Sequence, residues 1–132
     1  MKTVKDKLIA AALAARGNSY SPYSGYAVGA AVLTKAGQIY TGVNIENAAY
    51  SMTICAERSA IGNAVSHGHV DFAALAVAVS GDDPAAPCGA CRQVMEEFFD
   101  AETKIYLVNG RGEGTERTVA QLLPEAFSRA SL

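Results

Sequence analysis

Long apolar runs, basic clusters, a pairable set of cysteines and abundant charge are all missing from this 132-residue chain. No stretch approaches the ~20 apolar residues that a helix needs to cross a bilayer, so no membrane span is expected. Lys and Arg total 11 against 13 Asp and Glu, for a net charge of −2, and the basic residues never cluster. Polyanion binders draw most of their affinity from grouped cations, which weighs against nucleic acid as a partner. Only 18% of residues are charged while 50% are hydrophobic. That composition excludes a disordered chain and is apolar enough for a small protein to point to self-association. Repeats, low-complexity tracts and linkers are absent too, which leaves a single domain over residues 1–132. Cysteine occurs three times, an odd number that cannot all pair internally. The opening MKTVKDKLIAAALAARG resembles an export signal only at first sight. Asp6, Lys7 and Arg16 interrupt it, and it reads as an amphipathic helix. A reducing cytoplasm is the expected compartment, where grouped thiols mean metal or catalysis more often than disulfides.

What is present alternates between two periodicities. Residues 4–16 form a predicted helix that stops near Gly17-Asn18. The segment NSYSPYSG at 18–25 is a loop. Strands are predicted over 27–34 and 38–43, joined as a hairpin through Lys35-Ala36-Gly37. A second helix is expected over 55–67, and a strand over 72–80 whose near-continuous apolar character suits burial on both faces. A third helix follows over 88–99, then a strand over 104–108 and a short helix around 119–123. Strands alternating with helices of this length predict an α/β sheet covered by helices. The first hairpin is antiparallel. The crossovers through the second and third helices are expected to give parallel neighbours, so the sheet is mixed.

The cysteines fall at Cys55 and at Cys88-Gly89-Ala90-Cys91. A C-x-x-C pair alone is compatible with a redox couple, half a zinc ribbon, or chance. Here both cysteine segments open predicted helices, where backbone N–H groups and the positive end of the dipole favour thiolate. Three thiolates from two helix starts can converge on one Zn²⁺ and leave a fourth position open, the pattern of a catalytic rather than a structural zinc. His67 and His69 lie at the far end of the second helix. Twelve helical residues span roughly 18 Å, so these imidazoles are poorly placed as a fourth ligand. Glu57, two residues after Cys55, is near the metal without being forced onto it. A carboxylate there can move protons between water and substrate. An acidic residue in a first helical turn also simply favours the dipole.

The motifs T-I-C-A-E-R at 53–58, N-I-E-N-A at 44–48 and P-C-G-A-C-R-Q at 87–93 resemble those of the small homotetrameric cytidine deaminases. The likeness runs from Tyr20-Ser21-Pro22-Tyr23-Ser24 to Phe127. It implies a three-layer α-β-α fold around a mixed, about five-stranded sheet, and one zinc per subunit held by Cys55, Cys88 and Cys91. It makes Glu57 the proton shuttle in converting cytidine and 2′-deoxycytidine to uridine and 2′-deoxyuridine, a reaction of pyrimidine salvage. Asn44 and Glu46 would bind the ribose 3′-hydroxyl, and Ala56 would meet the substrate. Tyr26 stands where the family usually has a Phe against the nucleoside. Phe127 matches an aromatic that stacks on the base from a neighbouring subunit. Three thiolates leave the zinc site at −1, which weakens the metal as an acid. A cation beside the sulfurs offsets this. The resemblance gives that part to Arg58, steadied by Gln93, and leaves Arg92 as a structural or interface residue.

Three other readings compete. A deaminase of modified cytosine nucleosides or blasticidin-type antibiotics would share the zinc set, though N-I-E at 44–46 speaks for a sugar. A thiol redox protein would leave Cys55 unused. A structural zinc protein would need a fourth ligand.

Overall fold

In the computed structural model, which describes residues 2–132, a single five-stranded sheet runs through the molecule in the order β2-β1-β3-β4-β5. The elements in chain order are α1 (Val4–Ala15), β1 (Val28–Thr34), β2 (Ile39–Val43), α2 (Ala56–Ser66), β3 (Phe72–Val79), α3 (Gly89–Phe98), β4 (Lys104–Val108), β5 (Gly114–Thr118) and α4 (Val119–Leu122). Pairing is antiparallel except between β3 and β4.

Strand alternation divides the core into two layers. From β3, Leu75, Val77 and Val79 face α2 and α3 together with Ile61, Met95, Ile105 and Leu107. Ala74, Ala76 and Ala78 face the other way, where α1 presents Leu8 and Ala12. A strand that fills both layers must be apolar throughout, as 72–79 is. The alanines under α1 let that helix lie close to the sheet. At Gly29 the approach is closer still, since a Cβ there would stand 2.2 Å from the Ala12 carbonyl oxygen.

Local chemistry sets the ends of the elements. Thr3 and Asp6 form a capping box at the start of α1. The helix ends close to the expected place, but by tightening into a 3-10 turn over Arg16–Asn18; Gly17 is not among the left-handed glycines. The α2 helix does end on a left-handed glycine. Gly68 has φ +90°, and the amides of Gly68 and His69 return to Val65 and Ala64.

Two expectations change. The crossover through α2 does not join neighbours, because β1 lies between β2 and β3. Strand β1 is buried along most of its length, so it takes a partner on each edge. Placing β3 beside β2 would have left β1 exposed at the rim. Residues 110–118, unassigned from sequence, supply the edge strand β5. Its residues GTERT are almost wholly exposed, so no apolar alternation marks them. Backbone pairing to β4 and the turn closed by Asn109 N to Glu113 O at 2.8 Å make the strand.

Candidate active site

Cys55 and Cys88 are the N-caps of α2 and α3, and each sulfur therefore lies at the positive end of a helix. Cys91 follows one turn into α3, its amide directed at Cys88 Sγ at 3.4 Å. Cys88 Sγ is 3.3 Å from Cys91 Sγ and 3.8 Å from Cys55 Sγ. All three sulfurs lie within 4.8 Å of one another, and none is in a disulfide. Sulfurs about 2.3 Å from a tetrahedral zinc stand roughly 3.8 Å apart, so the donor set fits this metal. Among the described residues it is also the one group of three or more metal-ligating side chains so placed.

The electrostatics agree with that fit. Cys55 is lowered to about 5, first because Cys91 donates to its sulfur, then through Arg58 and Cys88. Cys91 is pushed up by that same pairing with Cys55, by burial and by the Glu57 charge. Arg58 Nη2 reaches Cys55 Sγ at 3.8 Å and the Thr53 carbonyl at 3.4 Å. Its Nε is enclosed with no partner among the described residues. A permanently charged guanidinium enclosed there is compensated when the adjacent sulfurs carry thiolate charge.

Glu57 is 5% exposed in the first turn of α2. Burial raises its carboxyl above the ordinary value, with the Cys55 charge acting in the same direction. A carboxyl so held exchanges protons nearer neutral pH than an exposed one.

The cleft beside these groups has a volume of about 190 Å³ and includes Tyr26, Asn44, Cys55, Ala56, Glu57, Val77 and Val79. Drug-sized ligands occupy roughly 300–1,000 Å³, so the space suits one small ring. Thr53 is shared with an adjoining cleft of about 230 Å³ formed by Tyr23, Ser24, Glu46, Asn47 and Tyr50. The pair Asn44 and Glu46 therefore straddles the two. Asn44 Oδ1 accepts from Val28 N and from the Ser19 hydroxyl, and its Nδ2 donates to Tyr26 O. Glu46 accepts from Tyr23 N, Ser24 N and Ser24 Oγ.

Other candidates fall elsewhere. Phe127 lines neither cleft and is 63% exposed. Gln93, expected to steady Arg58, instead donates from Nε2 to the Phe127 carbonyl at 2.8 Å. Arg92 clamps its own chain, with Nε to Pro87 O at 2.8 Å and Nη1 to Leu122 O at 2.7 Å. His67 and His69 flank the Tyr40 ring at 4.8 and 5.4 Å between centroids. Sequence reasoning missed Ser19 and Ser24. Their only signal is membership of a Ser-, Pro- and Gly-rich loop, which marks a turn and not a hydrogen-bond hub.

Comparison with known proteins gives a consistent picture. The model of the family described as "Cytidine and deoxycytidylate deaminase zinc-binding region" matches residues 2–107. A cytidine deaminase of Sporosarcina psychrophila is 54% identical over 127 residues, covering 96% of this chain and 93% of the relative. One from Halalkalibacterium halodurans is 50% identical over 124 residues, covering 94% of each. The crystal structure of a cytidine deaminase from Burkholderia pseudomallei superposes with a TM-score of 0.88 at 45% identity, covering 92% of this chain and 97% of that one.

Proposed function

We infer the reaction from a plain premise: this chain belongs to the cytidine and deoxycytidylate deaminase family. The protein is a zinc hydrolase that deaminates cytidine, and we propose that it acts on the free nucleosides cytidine and 2′-deoxycytidine, as in pyrimidine salvage. The observation that carries this reading is a cluster of three sulfurs, one of them from Cys55, which lines a small cleft together with the buried Glu57. Neither that cleft nor its neighbour is lined by Lys or Arg, and Glu46 adds negative charge. A substrate phosphate would find no cation there, which favours a nucleoside over a nucleotide. The sugar reading at Asn44 and Glu46 likewise favours a nucleoside over a blasticidin-type amine.

Cys55, Cys88 and Cys91 hold the zinc, and Arg58 offsets their excess charge. When bound, zinc is a Lewis acid that brings the pKa of water toward neutrality and so supplies the nucleophile. Glu57 accepts the proton that water gives up and delivers it to ring nitrogen 3 of cytosine, which makes carbon 4 a better electrophile. The oxygen of water joins carbon 4. Glu57 then carries the proton of the new hydroxyl on carbon 4 to the exocyclic amino group, the bond from carbon 4 to that nitrogen breaks, and the group leaves as ammonia while carbon 4 becomes a carbonyl. The Tyr26 ring and Ala56 border the base, while Asn44 and Glu46 meet the 3′-hydroxyl.

The working unit is a homotetramer in which Phe127 reaches a neighbouring cleft, and its compartment is the cytoplasm. Two features support an assembly. Phe127 is exposed and lines neither cleft of its own subunit, and Tyr23, Tyr50 and Met52 are exposed at 63%, 88% and 62%. No helix among the described residues is long and apolar enough to cross a membrane.

The direct test is loss of cytidine absorbance with purified protein beside Glu57→Ala of equal zinc content. Positioned acid–base groups contribute about 10²–10⁴ in rate, so the variant should lose at least about a hundredfold in kcat while keeping its metal. Retention of more than about a tenth of wild-type kcat would remove Glu57 from the proton path.

A further inference from the structure

We propose that Ser24 is a positioning residue, whose hydroxyl ties the Glu46 carboxylate to the backbone of Tyr26 and so holds the loop 19–26 as a strap across the mouth of the cleft. The proposal rests on the reading that Glu46 takes a sugar hydroxyl and that Tyr26 borders the base.

The loop has little regular structure of its own. One bridge, Tyr20 to Ile45, joins it to the segment after β2, with Tyr20 N to Asn44 O at 3.0 Å and Glu46 N to Tyr20 O at 2.9 Å. Beyond that bridge and one internal turn, Gly25 N to Ser21 O at 3.0 Å, side chains hold it. Ser24 Oγ donates to Glu46 Oε2 at 2.5 Å and accepts from Tyr26 N at 3.0 Å. A hydroxyl has one hydrogen and two lone pairs, so it makes both bonds at once. The amides of Tyr23 and Ser24 add bonds to Glu46 Oε1 at 3.0 and 3.1 Å. From the other side Asn44 Nδ2 donates to Tyr26 O at 2.8 Å. Both backbone polar groups of Tyr26 are thereby fixed by residues tied to the sugar-binding pair. Gly25, at φ +68°, supplies the left-handed turn that brings Ser24 and Tyr26 together.

The arrangement also determines what Glu46 can still do. A carboxylate offers about four acceptor positions, and the loop takes three. The remaining one, on Oε2, is left for a sugar hydroxyl. Without the Ser24 hydroxyl, Glu46 loses a bond on the oxygen that keeps this position, and Tyr26 loses the partner of its amide. Both effects weaken substrate binding before and during reaction alike, which raises KM and leaves kcat in place.

Ser24→Ala in the zinc-loaded protein is therefore expected to raise KM for cytidine about tenfold with kcat within about twofold, at unchanged zinc content. Ser24→Thr, which keeps the hydroxyl, should restore KM. Independently of turnover, the Tyr23, Ser24 and Tyr26 amides of Ser24→Ala should exchange hydrogen about tenfold faster or more, with α1 amides unaltered. Wild-type KM in Ser24→Ala overturns the proposal, as does a raised KM that Ser24→Thr fails to rescue. Glu46→Ala run alongside separates the two readings. A raised KM there with none in Ser24→Ala sinks the strap alone. Wild-type KM in Glu46→Ala sinks the sugar reading, and the proposal with it.

Discussion

Glu46 and Glu57 are both acidic residues of the candidate site, and their surroundings drive them in opposite directions. Burial raises Glu57, which suits the proton transfer proposed for it. The Ser24 hydroxyl, followed by the Ser24 and Tyr23 amides, holds Glu46 below its ordinary value of 4.5. Hydrogen bonds to the charged form are the cause, and they keep Glu46 an acceptor. A lowered folded pKa means that the anchoring it provides is complete above 4.5 and is lost as pH falls through the lower folded value. Protection factors of the Tyr23 and Ser24 amides should therefore hold steady from about pH 7 to about pH 5 and decline at more acid pH. Undiminished protection of these amides in Glu46→Gln would show that the anchor does not depend on the carboxylate.

At the scale of elements, the site depends on how closely α2 lies against the sheet. Gly42 on β2 faces the backbone of α2, and a Cβ there would stand 2.2 Å from Ala60 N and 2.7 Å from Ala56 O. Backbone atoms cannot rotate out of the way, so Gly42→Ala must lift the first turns of α2. Those turns follow the Cys55 cap and carry Glu57. Overpacking of this kind costs about 1–3 kcal/mol. The variant should unfold at lower temperature and bind less zinc, both measurable by thermal denaturation and metal analysis. A wild-type midpoint with full metal content would mean that the contact is slack. Helix α3 is secured differently, by Arg92 to Pro87 O and Leu122 O and by Gln93 to Phe127 O. The segment bearing Cys88 and Cys91 and the C-terminal tail are thus held to the same helix.

For the whole molecule, the exposed Phe127 is the decisive feature. If its ring completes a neighbouring cleft, subunits lacking Glu57 and subunits lacking Phe127 can repair each other. Glu57→Ala and Phe127→Ala proteins, dissociated together and reassembled, should recover activity that neither shows alone. Activity equal to the sum of the separate variants would place Phe127 outside the neighbour's site. The same exposure explains why the tail was hard to interpret from sequence, since an aromatic near a chain end serves equally well as a core seal or as a group offered to a second copy.

Much of the chemistry was legible in the residues because it depends on local rules. Cysteine and glutamate at helix starts, a C-x-x-C spacing and a wholly apolar strand at 72–79 point to a thiolate metal centre on an α/β sheet, and each feature operates within a few residues of itself. Non-local pairing was decided only in three dimensions. Placement of β1 between β2 and β3 depends on keeping a buried strand off the rim. Recruitment of GTERT as β5 depends on the unpaired edge of β4. The union of Ser19, Ser24, Asn44 and Glu46 depends on one bridge between segments more than twenty residues apart in the chain. Local sequence determines which groups are available for catalysis, whereas the satisfaction of backbone and side-chain hydrogen bonds across the fold determines where they meet.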